Sequence, residues 1–312
     1  MKNKTRQKRY RKPSKRKTKV RLRSAMVPVQ SCLPSVHKNP DKLSQSCFTK
    51  DIVATLVNVY NQSITQASEK INTNHPVETQ LKELKENMNK HCLQEKNKEF
   101  CLVNALNQTD ILRKSFMPVR KWKSPNEWLT NEDTDKVMAM YERAYPQYKY
   151  CETVTIDFAE ICKVSGCISK YFCQNKISME KLRPFKQWGM ILNLDKHWES
   201  GSHWVSLFID LENHFVYYFD SASTKVPNQI QHLFESLKRK YPGLEFKSNG
   251  KIHQQSNTEC GVYAVFFQIT MLTKQIPYIS LKPMSTLEIQ DLFSHGDIPD
   301  EFIQQYRHVF FS

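Results

Sequence analysis

Four residues in the last third of the chain, His203, Asp220, Gln254 and Cys260, have the types and the order that acyl transfer to a thiol requires. A thiolate can attack an acyl carbon, an imidazole can take and return the proton, a carboxylate can orient the imidazole, and an amide N–H can stabilise the oxyanion. Cys260 stands between a polar, turn-prone stretch at 253–259 and an apolar run at 262–272 that is long enough for a buried helix. The sulfur is thereby predicted at a helix N-terminus, where partial positive charge favours thiolate, and Gly261 is predicted to leave room for a peptide to approach the backbone. Most free cysteines are small buried hydrophobes. Cys260 is set apart by the His, Asp and Gln that precede it in matching contexts.

The elements that must position these groups are legible around them. Residues 202–210 are apolar and β-branched and predict a strand; a short polar turn at 211–213 leads to a second strand over 214–220. A hairpin brings the start of its first strand beside the end of its second, so His203 and Asp220 can meet at one sheet end. Asp220 would then fix the tautomer of His203 and stabilise its imidazolium. Asp210 falls at the opposite end of the hairpin and is the weaker candidate, while His214 and His232 have no comparable context.

The sequences Gly201-Ser202-His203-Trp204-Val205-Ser206-Leu207-Phe208-Ile209-Asp210, Tyr218-Phe219-Asp220-Ser221, His253-Gln254 and Asn257-Thr258-Glu259-Cys260-Gly261-Val262-Tyr263 together resemble the adenovirus-protease and SUMO-protease (Ulp-type) superfamily of cysteine peptidases, in the branch found in large DNA viruses. The resemblance runs from about residue 128 to residue 312. It implies His203 as base, Asp220 as its partner, Cys260 as nucleophile and Gln254 as oxyanion-hole donor, with Gln255 as the competing choice for that last role. It also implies that Trp204 and Trp128 line a narrow groove admitting a diglycine, although Thr130 and the Glu132-Asp133 arrangement depart from the family's Trp-Leu-Asn-Asp segment. The fold implied is α+β and papain-like, with a central mixed sheet and the nucleophile at the N-terminus of a buried helix.

The activity implied is thiol-dependent endopeptidase, cleaving viral structural or core polyproteins after Gly-Gly-type sites during virion maturation. The alternative is removal of ubiquitin or a ubiquitin-like modifier. Neither requires a metal or an organic cofactor, and the location implied is the virion and the host-cell interior. No apolar stretch reads as a secretion signal or a membrane span, so no membrane partner is expected.

Charge separates the chain into parts. Residues 1–24 hold 13 of the 46 Lys and Arg and no acid, leaving 33 basic against 31 acidic residues in the remainder. Such a tail buries nothing and is predicted to be disordered; dense cationic arms bind DNA or other polyanions by counterion release or serve as nuclear addresses. Residues 25–95 are predicted to form a Pro-containing linker and a helical accessory region, with one amphipathic helix starting near Thr49 and another over 77–94, before a peptidase domain at 96–312. Within that domain, helices are predicted at 134–145, 157–162 and 228–241, and strands at 189–194 and 244–248 besides the hairpin. Nine unevenly spaced cysteines, without a Cys-x-x-Cys pair, predict neither a zinc site nor a disulfide framework.

Overall fold

The computed structural model describes residues 22, 32–95, 97–162, 166–277, 279 and 282–311. The predicted basic tail, Leu22 apart, and residues 25–31 of the predicted linker lie outside the described residues. The strands are β1 (Tyr148–Thr155), β2 (Ile161–Cys162), β3 (Gly166–Cys167), β4 (Gln187–Asn193), β5 (Trp204–Asp210), β6 (Phe215–Phe219) and β7 (Glu245–Ser248). Five form one sheet in the order β1-β4-β5-β6-β7, with an antiparallel centre and outer strands parallel to their neighbours, while β2 and β3 pair separately as a short hairpin. The fold is α+β with a central mixed sheet.

Every residue of β4, β5 and β6 is buried, because both faces of the sheet are covered; hence their near-continuous apolar sequences. The two-residue period of a strand divides their side chains between two cores. Ile191, Phe208, Tyr217 and Phe219 pack on the side of helix Cys260–Thr273, whereas Leu192, Val205, Leu207 and Val216 pack with Ile230, Leu233 and Leu237 of helix Asn228–Lys240. Helix Cys260–Thr273 is buried from Cys260 through Leu272, as an all-round apolar helix must be.

A polar clamp fixes this helix on the sheet. Gln268 Nε2 donates to Ser206 Oγ at 2.7 Å, to Leu207 O at 2.8 Å and to Met190 O at 3.1 Å, while its Oε1 accepts from Tyr148 Oη at 3.0 Å. Gly189 lies beneath this junction, where any Cβ would collide with Tyr148 Oη and Gln268 Oε1. Satisfying a buried amide on several partners defines one register between helix and strands.

In the N-terminal region helix Lys50–Ser63 starts where Thr49 Oγ1 accepts from Ile52 N at 3.5 Å, and it buries Val53, Leu56, Val57 and Tyr60. Helix Val77–Asn87 packs on it, and helices Lys98–Ala105 and Thr109–Ser115 continue the same apolar cluster.

Two expectations are corrected. Residues 157–162 are not helical: the carbonyls of Phe158, Ala159 and Glu160 accept from Ser169 N, Gln174 N and Ile168 N at 3.0, 2.7 and 3.2 Å, so a turn leads into β2. Disulfides join Cys32 to Cys47, Cys92 to Cys101 and Cys167 to Cys173, where no framework was expected. The spacing had concealed chain reversals that bring these pairs together, such as the one closed by Leu43 N donating to Phe48 O at 2.9 Å beside Cys47.

Candidate active site

His203 immediately precedes β5 and Asp220 immediately follows β6. The register of the two strands pairs Ser206 with Phe219, which sets both residues at one end of the sheet. Their side chains meet, with His203 Nε2 and Asp220 Oδ1 2.7 Å apart. Asp210, at the far end, accepts from Glu212 N at 3.1 Å, Asn213 N at 2.9 Å and Gln187 Nε2 at 2.9 Å, so its carboxylate closes the hairpin turn and joins it to β4.

Asp220 is buried and held from several directions. Ala222 N donates to Oδ1 at 2.8 Å, Thr224 N donates to Oδ2 at 2.8 Å, and the Thr224 hydroxyl donates to the same oxygen. Its backbone is tied to the Asn249 side chain, which accepts from Asp220 N at 3.0 Å and donates to Asp220 O at 2.6 Å. Burial alone would raise the carboxyl pKa, but the bonds from His203 and Thr224 outweigh it and hold the group below its usual range.

Burial also disfavours the His203 imidazolium. Hydrogen bonds to Asp220 and to the Cys260 sulfur overcome that penalty and raise its pKa from 6.5 to about 9. With Nε2 engaged by Asp220, Nδ1 is the nitrogen left for the thiol. The cation is thus sustained between a carboxylate and a sulfur.

Cys260 is the first residue of helix Cys260–Thr273. The loop ahead of it is anchored residue by residue. His253 N and Gln254 N donate to Ser221 O at 2.9 and 3.0 Å, and Gln255 N and Ser256 N donate to Asp300 Oδ2 at 3.0 and 2.6 Å. Buried Arg307 donates from Nε to Glu259 Oε2 at 2.8 Å and from a terminal nitrogen to Thr258 O at 2.9 Å. Its other terminal nitrogen reaches Glu127 O, next to Trp128. A single guanidinium therefore joins the segment before Cys260 to the segment that leads into the cleft wall.

The Gln254 side chain is buried, accepting from Ser221 Oγ at 2.7 Å and donating to Ser256 O at 2.7 Å. Gln255 is exposed and bonded to Asp300 through its backbone. An open cleft of about 490 Å³ is lined in part by Trp128, Leu129, Thr153, Asn193, Gly201 and Trp204. Trp204 Nε1 donates to Leu129 O at 3.0 Å, and Trp128 is 41 % exposed. Gly261 does not open space for a peptide as expected. A Cβ there would lie 3.0 Å from Leu129 Cβ and 3.2 Å from Trp204 Cδ1, so its missing side chain lets the cleft wall pack on helix Cys260–Thr273. The departure at Thr130 also has a local reason: Thr130 caps helix Asn131–Ala144 in a reciprocal box with Asp133.

Sequence reasoning missed Ser221, Thr224, Asn249, Glu259, Asp300 and Arg307. Ser221 and Glu259 sit inside the quoted motifs and could have been nominated as neighbours. Arg307 and Asp300 carry no local signal, since the loop residues they hold, Glu259 and Gln255, lie 48 and 45 residues away. Among the described residues no three His, Cys, Asp or Glu side chains are grouped to hold a metal ion, and no helix is long and apolar enough to cross a membrane.

Residues 159–291 match the Ulp1 protease family, C-terminal catalytic domain, a stretch that includes His203, Asp220, Gln254 and Cys260. Protein R355 of Acanthamoeba polyphaga mimivirus, whose name describes a thiol protease, is 28% identical over 258 residues, spanning 75% of this chain and 82% of the relative. The SUMO-1 cysteine protease of African swine fever virus (isolate Pig/Kenya/KEN-50/1950) is 26% identical over 163 residues, spanning 45% of this chain and 56% of that protein. A crystal structure of the African swine fever virus protease superposes with a TM-score of 0.57 at 18% identity, covering 93% of this chain and 98% of that one. The fold is accordingly that of a Ulp1-like protease, and the matched family is one of cysteine proteases.

Proposed function

We propose, from the match to a cysteine-protease family and from the hydrogen bond between His203 and Asp220, that the chain is a thiol-dependent endopeptidase with Cys260 as nucleophile. The carrying observation is that 2.7 Å bond, with the Cys260 sulfur adding to the stabilisation of the same imidazolium from the start of a buried helix. His203 takes the Cys260 proton through Nδ1, and the thiolate attacks the carbonyl carbon of a small residue seated beside Trp204 and Trp128. Gln254 Nε2 exchanges its bond to Ser256 O for one to the oxyanion, alongside the Cys260 N–H. The imidazolium then protonates the departing amine, and water hydrolyses the thioester.

The substrates proposed are viral structural or core polyproteins cut after Gly-Gly-type sites, in the virion or the host-cell interior. Residues 1–24 would bind DNA or another polyanion, residues 25–95 would act as an accessory docking region, and residues 96–312 would form the peptidase domain. The second reading, removal of a ubiquitin-like modifier, is favoured by the name that the African swine fever virus relative carries.

The test is cleavage by purified protein and by Cys260→Ala of Gly-Gly-Xaa peptides and of ubiquitin and SUMO C-terminal fusions. Peptide cleavage by the unmutated protein alone supports the endopeptidase reading. Cleavage of the globular fusions alone moves the assignment to deconjugation, and a folded, active Cys260→Ala protein contradicts both.

A further inference from the structure

Three consecutive carbonyls of the cleft wall are each taken by a side chain from a different part of the chain. Glu127 O accepts from Arg307 Nη1, Trp128 O from Arg120 Nη2 at 2.8 Å, and Leu129 O from Trp204 Nε1 at 3.0 Å. Residues 127–130 form neither helix nor strand, so these side-chain donors stand in for a backbone ladder. Two of the three also reach the segments that carry Cys260 and His203: Arg307 holds Glu259 and the Thr258 carbonyl, and Trp204 follows His203.

Arg120 is anchored elsewhere. Its Nη1 pairs with Asp133 Oδ2, which also accepts from Thr130 N and Thr130 Oγ1 at 2.8 Å each, and Nη2 lies 3.3 Å from Glu127 Oε1. Its guanidinium carbon stands 4.2 Å from the centre of the Trp122 ring, and that ring packs edge-on against Phe311. Only 9 % of the Arg120 side chain is exposed, so the charge is largely desolvated and depends on these partners.

We propose that Arg120 is a positioning residue for substrate: stacked on Trp122 and rooted in Asp133, its guanidinium fixes the Trp128 backbone, and with it the face against which an extended small-residue peptide binds, apart from the chemistry at Cys260. The role rests on the reading of this cleft as a Gly-Gly peptide site. The Trp128 indole is exposed, so packing around it does little to fix it and its backbone must. A planar fork is needed to serve a carboxylate on one nitrogen and a carbonyl on the other while stacking on an indole; the point charge of a lysine cannot do all three. Removing the fork frees the Trp128 carbonyl but leaves Arg307 with Glu259, and His203 with Asp220, each to its own partner. Peptide binding is therefore weakened while the reactivity of the Cys260 thiol is kept.

The test measures binding of a Gly-Gly-Xaa peptide to full-length protein carrying Cys260→Ala, with and without Arg120→Ala, by calorimetry. In chains that retain Cys260, KM, kcat and the rate of Cys260 alkylation by iodoacetamide are measured alongside. Arg120→Ala is expected to raise Kd and KM at least about tenfold, the loss of one hydrogen bond from a charged donor, with a smaller effect on kcat and an unaltered alkylation rate. Arg120→Lys is expected to keep the defect, and guanidinium ion at millimolar concentration to reverse part of it in Arg120→Ala. Unchanged Kd and KM in a folded Arg120→Ala protein overturn the proposal, as does a loss confined to kcat with a matching fall in alkylation. Should Arg120→Ala unfold, Arg120→Lys decides by the same Kd, because it keeps a charge for Asp133 and lacks only the fork. Arg120-dependent binding without any cleavage supports the positioning role and removes the endopeptidase reading; cleavage with Kd and KM independent of Arg120 does the reverse, and a parent chain that binds no peptide overturns both.

Discussion

Cys260, His203 and Asp220 at the end of the central sheet, and Cys162, His197 and Asp157 near the β2–β3 hairpin, are the same three residue types in two settings. In the first, the carboxylate accepts from two backbone N–H groups, a hydroxyl and the imidazole, and the thiol begins a 14-residue buried helix. In the second, the thiol sits in a two-residue strand, and the imidazole is 34% exposed against 18% for His203. Acyl transfer, the reaction proposed for Cys260, draws on an oxyanion site and gains from a helix N-terminus behind the sulfur, whereas Cys162 lies in a strand. The surrounding anchors, and not the residue types, set the two constellations apart.

The comparison breaks most visibly at the sulfurs. Cys260→Ala is expected to lower kcat by about 10⁵- to 10⁶-fold in a peptide-cleavage assay, while Cys162→Ser leaves kcat/KM unchanged; a large loss from Cys162→Ser would place that thiol in the hydrolytic reaction. At the imidazoles, His203→Ala is expected to cost at least about 10⁴-fold in kcat/KM, with a smaller loss for Asp220→Asn. A larger loss from the Asp220 change would remove its merely orienting role.

The anchors are tested next. Arg307→Ala leaves Glu259, which is fully buried, without its cation, and is expected to lower unfolding free energy by about 3–5 kcal/mol. Adding Glu259→Gln should restore part of that loss in urea denaturation. If Arg307→Ala were neutral, the loop before Cys260 would be held by its other bonds alone.

The smallest effect is in pH dependence. With its pKa raised from 6.5 to about 9, His203 contributes stability that is full below pH 6.5 and disappears as pH rises through 9. Asp220, with a lowered pKa, contributes stability above its ordinary range and loses it as pH falls. The Tm difference between the unmutated protein and His203→Ala should therefore narrow between pH 6.5 and 9, and a constant difference would mean that the imidazolium is not held by the fold.

What was legible in the sequence follows from how local each signal is. His203 and Asp220 flank a hairpin whose strands announce themselves by composition, and Cys260 marks a change from turn-formers to an apolar run, so these three could be placed on elements before any contact was known. β1 escaped notice because a bulge at Glu152, with φ of +77°, interrupts its period and leaves the strand half covered. The segment 157–162 looked helical because its carbonyl partners, further along the chain beyond β3, leave no local trace. Distance along the chain also hid the pairs Arg307–Glu259 and His197–Asp157, which are 48 and 40 residues apart. Cysteine pairing was concealed in the same way, being decided by chain reversals rather than by spacing.

Labelling the full-length protein with an electrophile built on a Gly-Gly peptide, while cleavage is followed, decides whether the Cys260 thiol beside His203 and Asp220 is the hydrolytic nucleophile. One adduct per chain is expected, on Cys260, forming in step with loss of activity and failing to form in His203→Ala. An adduct on Cys162 that tracks the loss of activity, or activity that persists with Cys260 fully modified, would contradict it.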